Sequence, residues 1–148
     1  MPILNYTTKV QASKTVAEIT DILVVHRAHS ILTNYKEGQI ESLSFLIDTP
    51  QGNASIRLPV DPDAVLRVMK KYGSHVPMRF QNKEQAIRVA WRIVKDWIEA
   101  QMAILDTEMV KMEQIFLPYI QTQNGQTLFQ VFENQRLLTM PTVKKEET

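Results

Sequence analysis

The stretch SILTNYKEGQIESLSFLIDTPQGNASIRLPV, from Ser30 to Val60, decides the fold class. It holds three runs of strand formers, Ser30 to Tyr35, Gln39 to Asp48 and Asn53 to Val60. The turn-forming pieces Lys36-Glu37-Gly38 and Thr49-Pro50-Gln51-Gly52-Asn53 separate them, so the runs read as an antiparallel meander. In the middle run Ile40, Leu43, Phe45 and Ile47 fall mainly on one parity beyond one irregularity. In the third, Ile56 and Leu58 oppose Arg57 across the pleat. Arg57 therefore belongs to the face away from those two apolar residues.

Outward from the meander, Leu4-Asn5-Tyr6-Thr7-Thr8-Lys9-Val10 alternates imperfectly and reads as a short first strand. Thr15 and Glu18 have capping-box spacing, and Val16, Ile19, Ile22, Leu23 and His26 recur every three or four residues, predicting a helix over 16–27. Downstream, Asp61-Pro62 starts a second helix that runs to Tyr72 and ends at Gly73. Ser74 to Gln81 is a loop, and Asn82 with Gln85 caps a long helix predicted over 83–114. Its apolar residues, among them Ala86, Val89, Trp97, Ile98 and Met102, cover well over half the circumference. Such a helix is buried on two sides, by its sheet and by a partner helix or subunit. Phe116-Leu117-Pro118-Tyr119 breaks it, Asn124-Gly125 turns, and a short amphipathic helix spans 126–138. The expected fold is α+β: an N-terminal β-α-β-β-β antiparallel sheet, a short helix, one long helix and a short C-terminal helix. One domain covers 1–138, and 139–148 is a disordered tail.

The chain has 148 residues, no cysteine, and 17 basic against 16 acidic side chains. Lack of cysteine excludes disulfides, a thiolate nucleophile and sulfur-ligated metal, and suits a reducing cytoplasm. Near-neutral charge gives no general attraction to nucleic acid or anionic membrane, so any basic site must be local. No secretory leader is expected from Met1-Pro2-Ile3-Leu4-Asn5-Tyr6, nor is there an apolar run of membrane-spanning length.

Gln85 to Trp97 carries the most chemistry. At 100° per residue, Arg88, Arg92, Lys95 and Glu99 share one narrow stripe, with Gln85 and Asp96 at its edge and Trp91 farther round. Arginine forks hold phosphates and an aromatic face stacks on a base, so the row suits a nucleotide. Equally, Arg88 and Arg92 can pair with Asp96 and Glu99 as a solvated face. Arg57 is either a second phosphate cation or a partner for Asp61 or Asp63. Phe80 and Tyr119 are each either covers for a base or core plugs. His26, His29 and His75 lack metal-ligand spacing, the serines lack a nucleophile elbow, and the four glycines form no phosphate loop. Neither an enzyme nor a bound metal or cofactor is expected.

The segments Tyr6-Thr7-Thr8-Lys9-Val10, Thr15-Val16-Ala17-Glu18-Ile19, Ile56-Arg57-Leu58-Pro59, Gln85 to Ala103 and Phe116-Leu117-Pro118-Tyr119 occur together in this order. This pattern resembles a family of small phage and prophage proteins, linked to the first-described Thoeris anti-defence proteins. Those are sponges that sequester cyclic ADP-ribose isomers made by bacterial TIR-domain immune enzymes. The resemblance spans nearly the whole chain to Leu138, and Arg88 to Ala103 is its specific part. It implies a homo-oligomer in the cytoplasm of an infected host, binding the signal uncleaved near subunit boundaries. Capture of cyclic oligonucleotides of the CBASS type at a separate site is a further implication for some members. The residues carried over are Arg57, Phe80, Arg88 and Arg92, then Trp91, Asp96 and Tyr119. His26-Arg27 departs from the pattern, which has a glycine after the histidine. Two other readings stand beside it: a phage nucleic-acid-binding accessory protein, and a helix-mediated inhibitor of a host protein.

Overall fold

A computed structural model describes residues 3–71 and 75–135. The fold is α+β. Helix α1 (Ala12–Val25) precedes three strands, β1 (Ser30–Lys36), β2 (Gln39–Thr49) and β3 (Gly52–Arg57), which pair antiparallel in that order. Helices α2 (Pro62–Lys71), α3 (Lys83–Asp106), α4 (Met112–Phe116) and α5 (Leu128–Gln135) follow. Among the described residues no helix is long and apolar enough to cross a membrane. The expected end of α2 at Tyr72-Gly73, the last turn of the C-terminal helix and the tail at 139–148 lie outside the described residues.

The meander forms as its turns dictate. Glu37 and Gly38 both have positive φ, 52° and 77°, the backbone of a primed two-residue hairpin turn whose twist matches the strands. The irregularity in β2 is a shift in pairing: Asn34 faces Ser42 while Tyr35 faces Ile40, leaving Glu41 over. That extra residue turns Ile40 inward with Leu43, Phe45 and Ile47, all buried. Asp61 caps α2 by accepting from the Ala64 amide at 3.1 Å.

Long helix α3 separates two apolar clusters. Trp91, Val94, Ile98 and Met102 join the sheet and the α1 residues Val16, Ile19 and Leu23. Ala86 and Val89 join Met69 of α2 and Val76. Two-sided burial is thus met within the chain, by the sheet and α1 on one side and α2 on the other. Phe45, Phe116, Trp97 and Tyr119 run through the main cluster as edge-to-face rings, with centroids 5.5, 5.7 and 5.5 Å apart in turn. Truncating fully buried Phe116 to Ala is expected to cost about 3–5 kcal/mol.

Four expectations are corrected. Leu4 to Val10 is no strand, so the sheet has three strands and not four. Asn5 sits at φ 62°, which asparagine tolerates, and the Tyr6 and Thr8 carbonyls are taken by the Gln85 amide instead of a strand neighbour. Helix α1 begins four residues early, after Gln11. Thr15 is inside it and buried, and Glu18 reaches across to α3 instead of closing a capping box. Helix α3 stops at Asp106, where Thr107 caps the Ile104 carbonyl and Glu108 turns to φ 62°; Lys111 then starts α4 with its amide on Gln114 Oε1 at 2.8 Å. Finally, β3 ends at Arg57, short of Val60. The sheet edge beside β3 is covered by the bridge from Ile56 to Ile120.

Candidate functional site

Local folding of the N-terminal segment builds the site. Because Tyr6 and Thr8 hand their carbonyls to Gln85, the segment lies against the start of α3. The turn Met78–Phe80 sets Phe80 edge-on to Tyr6, with ring centroids 5.7 Å apart. Between the 7–11 segment, that turn and the start of α3 opens a cleft of about 380 Å³ lined by Thr7, Thr8, Lys9, Gln11, Arg79, Phe80, Asn82, Gln85 and Arg88.

Three of those residues are cations and none is a carboxylate. Among the described residues no acid forms an ion pair with Lys9, Arg79 or Arg88. The Arg79 guanidinium lies 4.8 Å above the centre of the Phe80 ring, a cation–π stack whose flat upper surface can take a base. Asn82 caps α3 through Gln85 N at 2.9 Å. The cleft therefore also meets the positive end of a 24-residue helix, equivalent to roughly half an elementary charge.

Of the residues singled out from sequence, Phe80 and Arg88 come together here and the other five do not. Arg57 is exposed and lines a different cleft, of about 510 Å³, with Lys36, Glu37, Glu41, Asp61, Asp63 and Lys83. Lys83 and Ile87 of that cleft lie on α3 roughly 150° round from Gln85 and Arg88, so the two clefts open on opposite sides. Neither Asp61 nor Asp63 pairs with Arg57: Asp61 caps α2 and Asp63 bonds to Lys83. The Lys83 ammonium holds the Asp63 carboxyl below its ordinary range, first by hydrogen bonding and then by charge.

Arg92 is spent inside the fold, its Nη1 donating to Glu18 Oε2 at 2.6 Å. Its partner is therefore an acid of α1, not Asp96 or Glu99. Trp91 is fully buried in the main cluster and its indole N–H has no partner, so no base can reach its face. Asp96 accepts from Asn5 Nδ2 at 2.8 Å. Tyr119 closes the aromatic run on Trp97. Lys9, Arg79 and Gln85 were the residues the sequence did not single out as ligand contacts; Lys9 was hidden by the reading of its segment as a strand.

A larger cleft, of about 590 Å³, lies between the C-terminal ends of α1 and α3. It mixes His26, Arg27 and Lys111 with Asp48, Asp106, Glu108 and Glu113, and His26 already bonds to Asp106 at 3.0 Å. Among the described residues no group of acids, histidines or cysteines is arranged to hold a metal ion. Comparison of the chain with protein-family models, curated proteins and solved structures finds no match.

Proposed function

We propose that the protein is a phage anti-defence sponge that sequesters an anionic nucleotide signal of the cyclic ADP-ribose type, without cleaving it, in the cytoplasm of an infected host. The observation that carries this reading is the cleft in which Lys9, Arg79 and Arg88 surround a half-buried Phe80 with no carboxylate among the lining residues. The mixed charges of the two larger clefts repel an anion as much as they attract it. Guanidinium forks and a lysine suit a pyrophosphate, and the Arg79–Phe80 stack suits adenine. The lining side chains donate hydrogen bonds and supply positive charge, and they include no imidazole or carboxylate to move a proton, which favours capture over cleavage. Resemblance to the phage family adds the expectation of a homo-oligomer and of a cyclic-oligonucleotide ligand. The nucleic-acid reading loses support, because its three-arginine track is divided: Arg57 lies in another cleft and Arg92 is bound to Glu18.

The test is a calorimetric titration with cyclic ADP-ribose isomers and cyclic oligonucleotides, followed by mass analysis of what the heat-denatured complex releases. Tight binding with unaltered ligand is expected. Conversion of the ligand to a new product contradicts the proposal.

A further inference from the structure

We infer that Gln85 is the positioning residue of this cleft and that its grip fixes how Arg88 meets a phosphoryl group; the inference rests on the nucleotide reading above. Gln85 is only 4% exposed and uses every donor and acceptor of its amide. Nε2 donates to the Tyr6 carbonyl at 2.8 Å and the Thr8 carbonyl at 2.9 Å. Oε1 accepts from Arg88 Nε at 3.0 Å and from Arg88 Nη2 at 2.8 Å. The amide can sit only this way round. A flip would face its oxygen against two carbonyl oxygens and its NH₂ against guanidinium N–H groups.

Two consequences follow for a ligand. The Nε–Nη2 edge of Arg88 is taken, so the donors left are the two on Nη1 and one on Nη2. That is the end-on fork, which matches two unesterified oxygens of one phosphoryl group. The same amide also ties the segment carrying Thr7, Thr8 and Lys9 to the helix carrying Arg88, so both walls keep their spacing when a ligand arrives. A carboxylate can occupy the fork as well, but a pyrophosphate, with two free oxygens on each phosphorus, can also reach the further cations Lys9 and Arg79 of the cleft.

The experiment compares Gln85→Met, Arg88→Lys and the double variant by titration with cyclic ADP-ribose, alongside the NMR signal of the Arg88 Nε–H. Methionine keeps the length of glutamine and removes all four hydrogen bonds. Binding is expected to weaken about tenfold in Q85M, the scale of one charge-assisted pairing. R88K is expected to weaken at least as much despite its retained charge, and Q85M to cost less in the R88K background than it does alone, the remainder being the loosened Thr7–Lys9 wall. The Nε–H, protected from solvent exchange in the wild type, loses that protection in Q85M. Should Q85M not fold, R88K carries the test alone, and R88K binding as the wild type does overturns the inference. So does a Q85M variant that binds normally, or one that weakens R88K by its own full factor. Failure of the wild-type protein to bind removes the nucleotide reading itself, whereas wild-type binding left unchanged in Q85M removes only the role of Gln85.

Discussion

Arg92 donates to Glu18 at 2.6 Å, while Lys95 bonds to Glu99 at 2.5 Å and stands 3.8 Å from the Glu18 carboxylate, so two of the three cations in the row on α3 are paired within the fold. The Arg92–Glu18 pair is partly buried, with side chains 20% and 34% exposed. Loss of either partner falls between the exposed and buried cases, about 1–2 kcal/mol of stability. Arg92→Ala and Glu18→Ala are expected to lower the denaturant midpoint by similar amounts, and the double variant by less than their sum. Ligand affinity of R92A stays within twofold of wild type. An R92A protein of normal stability and lost binding would place Arg92 in the site after all.

Arg27 is expected to be better as glycine. Its φ is 75°, and the amides of Arg27 and Ala28 close on the Val24 and Leu23 carbonyls, the capping pattern that ends a helix with a left-handed residue. A side chain in that conformation costs about 1 kcal/mol. Arg27→Gly is predicted to raise the unfolding free energy by about that much, moving the denaturant midpoint upward with no change in the slope.

The meander was legible because its signals are local. Glu37-Gly38, Asp61-Pro62 and the parity of Leu43, Phe45 and Ile47 each act within a few residues, and each appears in the structure as read. What escaped depends on distant partners. Leu4 to Val10 has strand composition, yet Gln85, some 77 to 79 residues away, takes its carbonyls. Glu108 breaks the long helix with neither glycine nor proline, while the apolar spacing runs on past it to Met112 and Ile115. The stripe of Arg88, Arg92 and Lys95 was correct as helix geometry, and Lys95 takes Glu99 of the same stripe, but only the placement of α1 decides that Glu18 takes Arg92 and leaves Arg88 without an acid among the described residues. Phe80 and Arg88 were therefore readable as candidates, whereas their union with Lys9 and Arg79 was not.

Asp63 should make stability depend on pH at the acid end. Its carboxyl is held down by Lys83, with smaller help from Arg67 and Lys36, so the folded chain gives up this proton more readily than the unfolded one. Stability from the pair is present above the ordinary carboxylate range and is lost as pH falls through it and below. Asp63 is exposed, so the effect is small. Asp63→Asn is expected to flatten the acid limb of a midpoint-against-pH curve and to leave the neutral and alkaline parts unchanged in shape.

Phe80→Leu separates stacking from packing. Leucine still fills the space beside Tyr6, while the ring under Arg79 is lost. The ring acts through Arg79, whose guanidinium it holds flat by a cation–π contact worth about 0.5–1 kcal/mol, so a nucleotide ligand is expected to bind about 2- to 5-fold more weakly. Thermal midpoints should move much less than in a Phe80→Ala variant. Equal loss of stability in both variants, with affinity unchanged, would make Phe80 a plug for the smaller apolar cluster.

The most direct test of the central claim is a side-by-side calorimetric titration of the wild type, Arg88→Ala and Arg57→Ala with cyclic ADP-ribose isomers. If the cleft of Lys9, Arg79, Phe80 and Arg88 is the binding site, the wild type binds, R88A loses about 30-fold or more in affinity, as befits a charge-assisted fork, and R57A binds nearly as the wild type does. Full affinity in R88A, with binding lost in R57A, would contradict the account and move the site to the other side of α3.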